Sequence, residues 1–420
     1  MRSEGSAGHP HAAAGRPADL TSAAGLQSGP DRKRRQVMSV RVNVVPAVVS
    51  WALDAAADPS SLRQRFAIDQ WLSRQKEPTL KQLQGFARAA GIPFGYLLLP
   101  EPPQWTLPIP DFREGFTGRD TPSADLIAVI NQSQRRQAWY REYALGMGAV
   151  PLPFVGSARG RDPLETAATI RAALRFEVQH RRGTWADTRK ALLQGFESLG
   201  GLTVATSMVE NNTHRLLNAD EFRGFTLIDD IAPLVFVNTG QTLNGQLFTL
   251  IHECAHVWHG SAGLGNEDAG SSPRSTTERW CNAVASEVLV PRDELEARHR
   301  RLVDVGLTDA LDQLAAQFRC GTLVVLHALH RTGVRAIDDF AAAYDAEVTR
   351  LRELRDISQK RDRPGGDHYH NQPYRVGERL SRALIADALE GHTTIDEAMA
   401  LMSMRSLSSF DEYSRRLGAA

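Results

Sequence analysis

Cysteine is scarce in this sequence, since Cys254, Cys281 and Cys320 are the only three among 420 residues. Their odd number and wide spacing predict no disulfide framework and favour a reducing compartment. A continuous run of 18 or more apolar residues is also lacking, and the N-terminus has no apolar core of a secretion signal. The sequence therefore predicts no membrane span and no secretion, which leaves the cytoplasm as the expected location.

An excess of one charge sign is absent as well. Lys plus Arg and Asp plus Glu both number 49, so the formal net charge is zero. This balance argues against a surface covered with positive charge for non-specific nucleic-acid binding, although a local basic face remains an alternative. Hydrophobic residues make up 42% and charged residues 23%, as in ordinary globular proteins, and the length suggests about two to four domains.

Residues 1–38 are rich in Gly, Ala, Ser, Pro and Arg and end near the basic cluster DRKRRQV. Such a segment cannot bury enough apolar surface to offset the entropy that it would lose on ordering, so we expect a disordered tail. A nucleic-acid-binding arm is one alternative. A start of translation at Met38 is the other.

Residues 39–100 are predicted to form a small helical bundle that contains a helix-turn-helix. Thr79 is suited to begin a helix and Gly91 to end it, and the apolar positions between them follow helical spacing. Few polar groups are available to read bases, so docking of a protein is the alternative to binding of DNA. The groups that could face DNA are Arg74, Lys76, Lys81 and Gln82.

The rest of the chain alternates helical patterns with a few strand patterns. Residues 101–122 are rich in proline and predict an extended linker. Helices are expected over residues 123–145 and 163–199, strands within the stretches 201–209 and 222–240, with an apolar run at 234–237, and helices afterwards. The sequence thus predicts an α+β protein that is mostly helical. Its expected divisions are residues 1–38, 39–100, 101–122, 123–300, a second helix-turn-helix-like segment at 301–345, and a helical C-terminal region at 346–420.

The stretch FTLIHECAHVWHG, residues 248–260, carries the clearest chemical signal. On a helix, His252 and His256 lie on one face, with Cβ atoms about 5–6 Å apart, so both imidazoles can reach one metal ion. Glu253 follows His252 directly and can take a proton from an attacking water. A chance match to HExxH is the alternative. A preceding strand and a following glutamate-bearing helix favour instead the element order of a minimal gluzincin-type zinc peptidase.

A catalytic zinc site needs three protein ligands and one open position. Glu278, in ERWCN, is the main candidate for the third ligand, and Asn282 lies one turn further to hold it or a histidine from behind. The alternatives are Glu287, Glu267 and Glu294. The metzincin pattern is excluded, because His259 and Ala262 fill the places where it requires other residues. His259 is either a spare ligand or a positively charged cap at the helix end.

Three further hypotheses concern residues around this site. The strand formed by Leu234, Val235, Phe236, Val237 and Asn238 is a candidate edge for binding an extended peptide by β-addition. A peptidase also needs a donor for the oxyanion, and the candidates are His368, Tyr369, His370 and Tyr374. The alternative for that segment is a polar turn between domains. Cys254 is expected to be a small packed residue.

Several stretches together resemble the ImmA/IrrE family of bacterial metallo-endopeptidases, and the resemblance covers most of residues 42–420. They are EPTLKQLQGFARAAGIPFGYLLLPEPP, PIPDFR, RGFTLIDDIAPLVFVNTG, LFTLIHECAHVWHG and ERWCNAVASEVLVP. The resemblance implies a zinc-dependent peptidase domain at residues 123–300, coupled to a repressor-type helix-turn-helix. It implies that the enzyme cleaves a partner transcriptional repressor, often after stress. It also implies His252, His256 and Glu278 as zinc ligands and Glu253 as the general base.

Three functional hypotheses follow. The first is a cytoplasmic zinc endopeptidase that cleaves a helix-turn-helix repressor and acts in stress-response or mobile-element gene regulation. The second is a DNA-binding transcriptional regulator, or an antitoxin-like protein, whose peptidase site is vestigial. The third is a structural zinc protein. Two histidines and one glutamate argue against the third, because structural sites are usually closed by four ligands rich in cysteine.

Overall fold

The computed structural model describes residues 40–56, 58–103, 107, 109, 122–265, 275–359, 372 and 375–418. The predicted tail of residues 1–38 and most of the predicted linker of residues 101–122 lie outside the described residues. From Arg41 onward the chain forms one compact unit. Helices dominate this unit and a small sheet lies within it, so the predicted α+β class is confirmed. The domain boundaries given above stay a prediction.

The N-terminal bundle contains four helices and a 3-10 turn. They are α1 (Pro46–Ala55), α2 (Pro59–Arg65), α3 (Ile68–Leu72), α4 (Leu80–Ala90) and the 3-10 turn Phe94–Leu98. Thr79 and Gln82 begin α4 with a capping box, and Gly91 ends it at a φ of 73°, as the sequence predicts. The rings of Trp71 and Phe86 meet edge to face at 5.7 Å in the bundle core.

The predicted helix-turn-helix in this bundle is not confirmed. Residues 73–79 separate α3 from α4, a longer connection than the three or four residues typical of the motif. Of the groups expected to face DNA, Arg74, Lys76, Lys81 and Gln82 are all exposed. The Gln82 side chain, however, accepts a hydrogen bond from the Thr79 backbone N–H at 2.9 Å, so its amide oxygen is engaged within the protein.

The middle and the end of the chain supply the remaining elements. In chain order they are α5 (Ala124–Gly146), α6 (Pro163–Ala173), the 3-10 turn Val178–His180, α7 (Trp185–Ser198), β1 (Leu202–Thr206), β2 (Gly224–Leu227), β3 (Leu234–Asn238), α8 (Leu243–His259), β4 (Gly263–Gly265), α9 (Thr276–Leu289), α10 (Arg292–His299), α11 (Leu307–Phe318), α12 (Thr322–Thr332), α13 (Phe340–Gln359), α14 (Glu378–Leu389), α15 (Ile395–Leu401) and α16 (Leu407–Arg416). Among the described residues, no helix is both long and apolar enough to cross a membrane.

The helix expected over residues 163–199 is interrupted. Arg175 adopts a φ of 53° just after α6, and Gly183 adopts a φ of 82° before α7. Thr184 then begins α7 with its own capping box to Asp187. Positive φ values and a new cap both break the helical hydrogen-bond ladder, and helical periodicity alone does not reveal them.

The four strands form one mixed sheet in the order β1-β3-β2-β4. β3 pairs with β1 in parallel, from Leu202 opposite Leu234 to Thr206 opposite Asn238. β2 pairs with β3 and with β4 in antiparallel fashion. In the described part of the chain, β1 and β4 are therefore the edges of the sheet, and β3 is interior.

Helices cover both faces of the sheet. Val235 and Val237 of β3 point into a core that is shared with α8, α9 and the helices after them. Leu234 and Phe236 point to the opposite side, into a core that is shared with α5 and the C-terminal helices α14–α16. Because successive side chains of a strand alternate between faces, each residue of β3 is buried on one side or the other.

The C-terminal helices belong to the core on the Leu234 and Phe236 side of the sheet and do not form a separate unit. Leu380, Leu384 and Phe410 are buried in the core that also contains the back of the sheet. Arg379 of α14 donates to the Tyr140 hydroxyl of α5 at 2.7 Å and to the Glu197 carbonyl at 3.1 Å. The helices at the end of the chain therefore close the face of the sheet that α8 leaves uncovered.

Candidate metal centre

α8 positions the two histidines of the HExxH stretch. The Thr242 side chain accepts from the Gly245 N–H and begins the helix, and Gly260, at a φ of 75°, ends it. The helix packs against the sheet, α7 and α9, so every residue from Gln246 to Trp258 is buried. A helix this deep carries polar side chains only where each of them has a partner.

The partner of the two histidines is Glu278 of α9. His252 Nε2 lies 2.9 Å from Glu278 Oε2, and His256 Nε2 lies 3.2 Å from Glu278 Oε1. The two Nε2 atoms are themselves 3.2 Å apart. All three side chains are at most 3% exposed. The structure thus brings together the two predicted histidine ligands and the main candidate for the third ligand.

This cluster fits a tetrahedral zinc ion. Zinc–ligand bonds of about 2.0–2.2 Å place neighbouring ligand atoms about 3.3 Å apart, close to the separations of 2.9 and 3.2 Å between the three side chains. His252 Nδ1 lies 2.9 Å from Asn282 Oδ1, which can only accept, so the proton of His252 is on Nδ1. His256 Nδ1 lies 3.2 Å from Ser261 Oγ. The Nε2 atoms of both rings are directed at the cluster.

The carboxylate of Glu278 strengthens the same conclusion. Apart from the two histidines, its two buried oxygens have no hydrogen-bond donor among the described residues. Two buried carboxylate oxygens that meet only imidazole nitrogens point to an ion. Burial alone would raise the pKa of Glu278, but the contacts with His252 and His256 outweigh it and hold the pKa well below its usual range. The donor set of two imidazoles and a carboxylate is typical of catalytic zinc.

Helix α9 positions Glu278 beside His252 and His256. The Ser275 side chain accepts from the Glu278 N–H at 3.4 Å and begins the helix, which puts Glu278 in its first turn. Asn282 follows one turn later on the same face and contacts His252, as predicted from the spacing. Cys281 lies between them and is fully buried, and burial raises its pKa well above the ordinary value. The thiol therefore stays protonated.

Glu253 lies beside the cluster and is buried, at 2% exposure. Its Oε2 accepts a hydrogen bond from Thr226 Oγ1 of β2 at 2.6 Å. Burial raises the pKa of Glu253 above its ordinary value, and the neighbouring His256 and His252 and the bond from Thr226 oppose that rise. The result is a carboxylate that binds a proton more readily than a solvated glutamate does, which suits a general base.

The alternative ligands lie elsewhere. Glu287 is on the other end of α9, where Oε2 accepts from Arg331 at 3.0 Å and Oε1 accepts from the Arg292 N–H at 2.9 Å. Glu294 pairs with Arg298 at 3.0 Å near the surface. Glu267 lies outside the described residues. The three therefore give no competing cluster in the described part of the chain.

The environment of His259 fits neither of the two predicted roles, a spare metal ligand or a positively charged cap of the helix. Its ring packs on Trp280 at 5.0 Å, and its Nδ1 lies 3.0 Å from Ser261 Oγ. Burial lowers the pKa of His259, followed by the charges of His256 and Arg159, so the ring is neutral at pH 7. A neutral ring does not act as a cationic cap. Gly260 ends the helix by its backbone conformation.

The predicted edge strand is wrong. β3, which contains Leu234, Val235, Phe236, Val237 and Asn238, is hydrogen-bonded on both sides, to β1 and to β2. The apolar run indicated a strand that is buried on both faces, and such strands are typical of sheet interiors. The edge closer along the chain to α8 is β4, which begins four residues after His259 and pairs with β2.

Some of the other predicted residues lie outside the described part of the chain. The candidate oxyanion donors His368, Tyr369, His370 and Tyr374 are outside the described residues. Cys254 is a buried, packed residue whose thiol pKa is raised by burial, as expected for a residue without redox function. Thr226 and Ser261, which contact Glu253 and His256, were missed by the sequence analysis, because a lone hydroxyl residue has no spacing that marks it.

Comparison with known proteins agrees with this geometry. Residues 196–330 match the family model described as Peptidase_M78, IrrE N-terminal-like domain. This part of the chain is similar to the IrrE N-terminal-like domains of a peptidase family. The match runs from the end of α7 into α12 and includes the whole cluster, so the resemblance to the ImmA/IrrE family is confirmed here. Residues 376–416 match a domain of unknown function, DUF8813, which corresponds to α14–α16 behind the sheet of the peptidase domain. No curated protein and no solved structure matches the chain.

Proposed function

We propose that this protein is a zinc-dependent endopeptidase that hydrolyses a peptide bond in a partner protein. The observation that carries the proposal is the buried cluster of His252, His256 and Glu278, whose ligand atoms lie 2.9 and 3.2 Å from one another. The match to a peptidase family supports the same reaction. In a structural zinc protein a fourth protein ligand would close the site, and the described residues offer three.

Each residue around the cluster has a distinct role in the proposed reaction. His252, His256 and Glu278 would hold Zn²⁺, and Asn282 and Ser261 keep the imidazoles turned towards it. A bound zinc ion supplies a Lewis acid that polarises the scissile carbonyl and makes water a better nucleophile at neutral pH. Glu253 takes the proton from the attacking water and then delivers it to the amine that leaves.

The edge strand β4 is the proposed place for the substrate backbone. Within the described residues it pairs with β2 alone and follows directly after the helix that carries the histidines. An extended peptide that adds to this edge would continue the sheet and run past the cluster. β2, the neighbour of β4, contacts Glu253 through Thr226, so substrate edge and general base belong to one part of the sheet.

The proposed substrate is a helix-turn-helix transcriptional repressor, and the proposed setting is stress-response or mobile-element gene regulation in the cytoplasm. Membership of residues 196–330 in the peptidase family supports a protein substrate. A vestigial site in a DNA-binding regulator is less well supported. Every proposed ligand is present, buried and turned towards the others.

The experiment is zinc analysis and proteolysis with three forms of the purified chain: wild type, Glu253→Gln and His256→Ala. The substrates are a repressor encoded beside this gene and a library of quenched fluorescent peptides. We expect one zinc per wild-type chain and cleavage of a substrate. Glu253→Gln should keep zinc and lose cleavage, and His256→Ala should lose both. Unchanged cleavage by both variants would refute the proposal.

A DNA-binding experiment distinguishes the regulator hypothesis from the peptidase hypothesis. A wild-type chain without hydrolytic activity that shifts DNA of its own promoter, with a sequence preference that survives added salt, would favour the regulator. Binding that disappears with salt and shows no sequence preference would reflect phosphate contacts alone.

A further inference from the structure

Strand β2 presents two residues to the helix that carries Glu253. Gly224 and Thr226 are two positions apart, so they lie on the same face of the strand. Phe225 and Leu227 point the other way, into the core behind the sheet. The face towards α8 thus consists of a residue without a side chain and a residue with a hydroxyl, both of them buried.

Thr226 contacts one oxygen of Glu253. Its Oγ1 lies 2.6 Å from Glu253 Oε2 and 3.0 Å from the backbone oxygen of the same residue. Thr226 is fully buried and Glu253 is 2% exposed, so solvent does not compete for the contact. A hydroxyl that donates to a carboxylate at this distance makes a strong, directional hydrogen bond.

Gly224 leaves room for the other oxygen. A Cβ built on Gly224 would lie 2.8 Å from Glu253 Oε1, 2.6 Å from a methyl carbon of Thr249 and 2.8 Å from the Phe236 carbonyl oxygen. Real Cβ atoms do not approach other atoms so closely. The absence of a side chain at Gly224 therefore leaves room for Glu253 Oε1 beside the strand, while Thr226 contacts Oε2.

We propose that Thr226 is a positioning residue for the general base: its hydroxyl binds Oε2 of Glu253 and leaves Oε1 to receive the proton. This inference rests on the proposed function, because only a peptidase needs Glu253 as a base. A base must lie within hydrogen-bond reach of the proton that it takes, and a displacement of about 1 Å costs on the order of 100-fold in rate. Thr226 prevents that displacement.

The activity arm compares Thr226→Val with Thr226→Ser on the peptide that the wild type cleaves fastest. Valine keeps the shape and removes the hydroxyl, so we expect kcat to fall about 10- to 100-fold, with KM and zinc content unchanged. Serine keeps the hydroxyl and should restore most of kcat. A kcat of Thr226→Val equal to that of the wild type overturns the inference.

Thr203 provides the matched control. It is a buried threonine of β1 in the same sheet, and its hydroxyl donates to a buried glutamate, Glu197, at 2.6 Å. Thr203→Val removes the same kind of hydrogen bond at a distance from the cluster. We expect it to lower the melting temperature as Thr226→Val does and to leave kcat unchanged. Equal losses of kcat in both variants would mean that Thr226 acts only through stability.

A second arm uses zinc-free protein and needs no activity. Urea unfolding is measured for the wild type, Thr226→Val, Glu253→Ala and the double variant. If Thr226 and Glu253 interact, the shift of the unfolding midpoint in the double variant differs from the sum of the single shifts. Additive shifts overturn the inference. Coupling in the zinc-free chain together with a wild type that cleaves nothing would instead refute the proposed function and leave the contact standing.

Discussion

Glu278 and Glu287 are both buried glutamates of α9, but only Glu278 meets the histidines of α8. Glu278 Oε2 lies 2.9 Å from His252 Nε2, whereas Glu287 Oε2 lies 3.0 Å from an Arg331 nitrogen. A cation compensates each carboxylate: Arg331 for Glu287 and, in the proposed enzyme, zinc for Glu278. The pair therefore gives a matched test of the metal centre.

Glu278→Gln is expected to lower zinc affinity by about 100-fold or more, because a neutral amide replaces an anionic ligand. Glu287→Gln should leave zinc affinity unchanged and cost stability through its contact with Arg331. Competition with a chromophoric chelator measures the affinities, and thermal melting measures the stabilities. If the two variants bind zinc equally well, the assignment of Glu278 as a ligand is wrong.

Asn282→Ala tests the orientation of His252. Asn282 Oδ1 accepts from His252 Nδ1 at 2.9 Å and so keeps the ring turned with Nε2 towards the cluster. Loss of such a contact behind a ligand costs about 10- to 100-fold in metal affinity or activity. Asn131→Ala, an exposed asparagine of α5, is the control and should bind zinc as the wild type does. Isothermal titration calorimetry with zinc would detect the difference in affinity between the two variants.

Glu197 makes stability depend on pH near neutrality. Burial raises the pKa of Glu197 from 4.5 to about 7, although hydrogen bonds from Thr203 and the Arg379 N–H oppose the rise. Between these two values the folded chain binds the proton more tightly than the unfolded chain, so the free energy of unfolding falls as pH rises through this window. At 1.36 kcal/mol per pKa unit the total is about 3 kcal/mol.

Glu197→Gln should remove this slope, because the amide oxygen still accepts a hydrogen bond from Thr203 while no charge is buried. Urea unfolding at pH 5 and pH 7.5 measures the difference. Glu142→Gln, a substitution of an exposed glutamate on α5, is expected to keep the slope of the wild type. A Glu197→Gln chain with the full slope would assign the pH dependence to other groups.

Leu384 tests the contribution of the C-terminal helices to the peptidase domain. It is fully buried in the core behind the sheet, whereas Leu389, on the same helix, is 54% exposed. Leu384→Ala should cost about 2–5 kcal/mol of unfolding free energy, and Leu389→Ala about 0.5 kcal/mol or less. If the C-terminal helices unfold separately, Leu384→Ala will produce an early transition of its own, with the melting of the zinc-binding part unchanged.

Local patterns explain the parts of the site that the sequence could predict. The spacing of His252 and His256 puts both rings on one helical face, and the glycine after His259 ends the helix. The strands β1, β2 and β3 fall in stretches with strand patterns, whereas β4 has no such pattern. The order of the strands has no local pattern either, because the backbone pairing of β3 with β1 and β2 depends on residues distant in the chain. For the same reason, the sequence predicts an edge strand where β3 is interior.

The sequence by itself determined the candidate ligands on α8, the candidate general base beside them and the mostly helical class, since these follow from spacing within one element. Only the tertiary structure decided that Glu278 and not Glu287 meets the histidines, that β4 and not β3 is an edge, and that Thr226 contacts Glu253. Each of these depends on how separate elements pack, and packing is set by the sum of many distant contacts rather than by any local pattern.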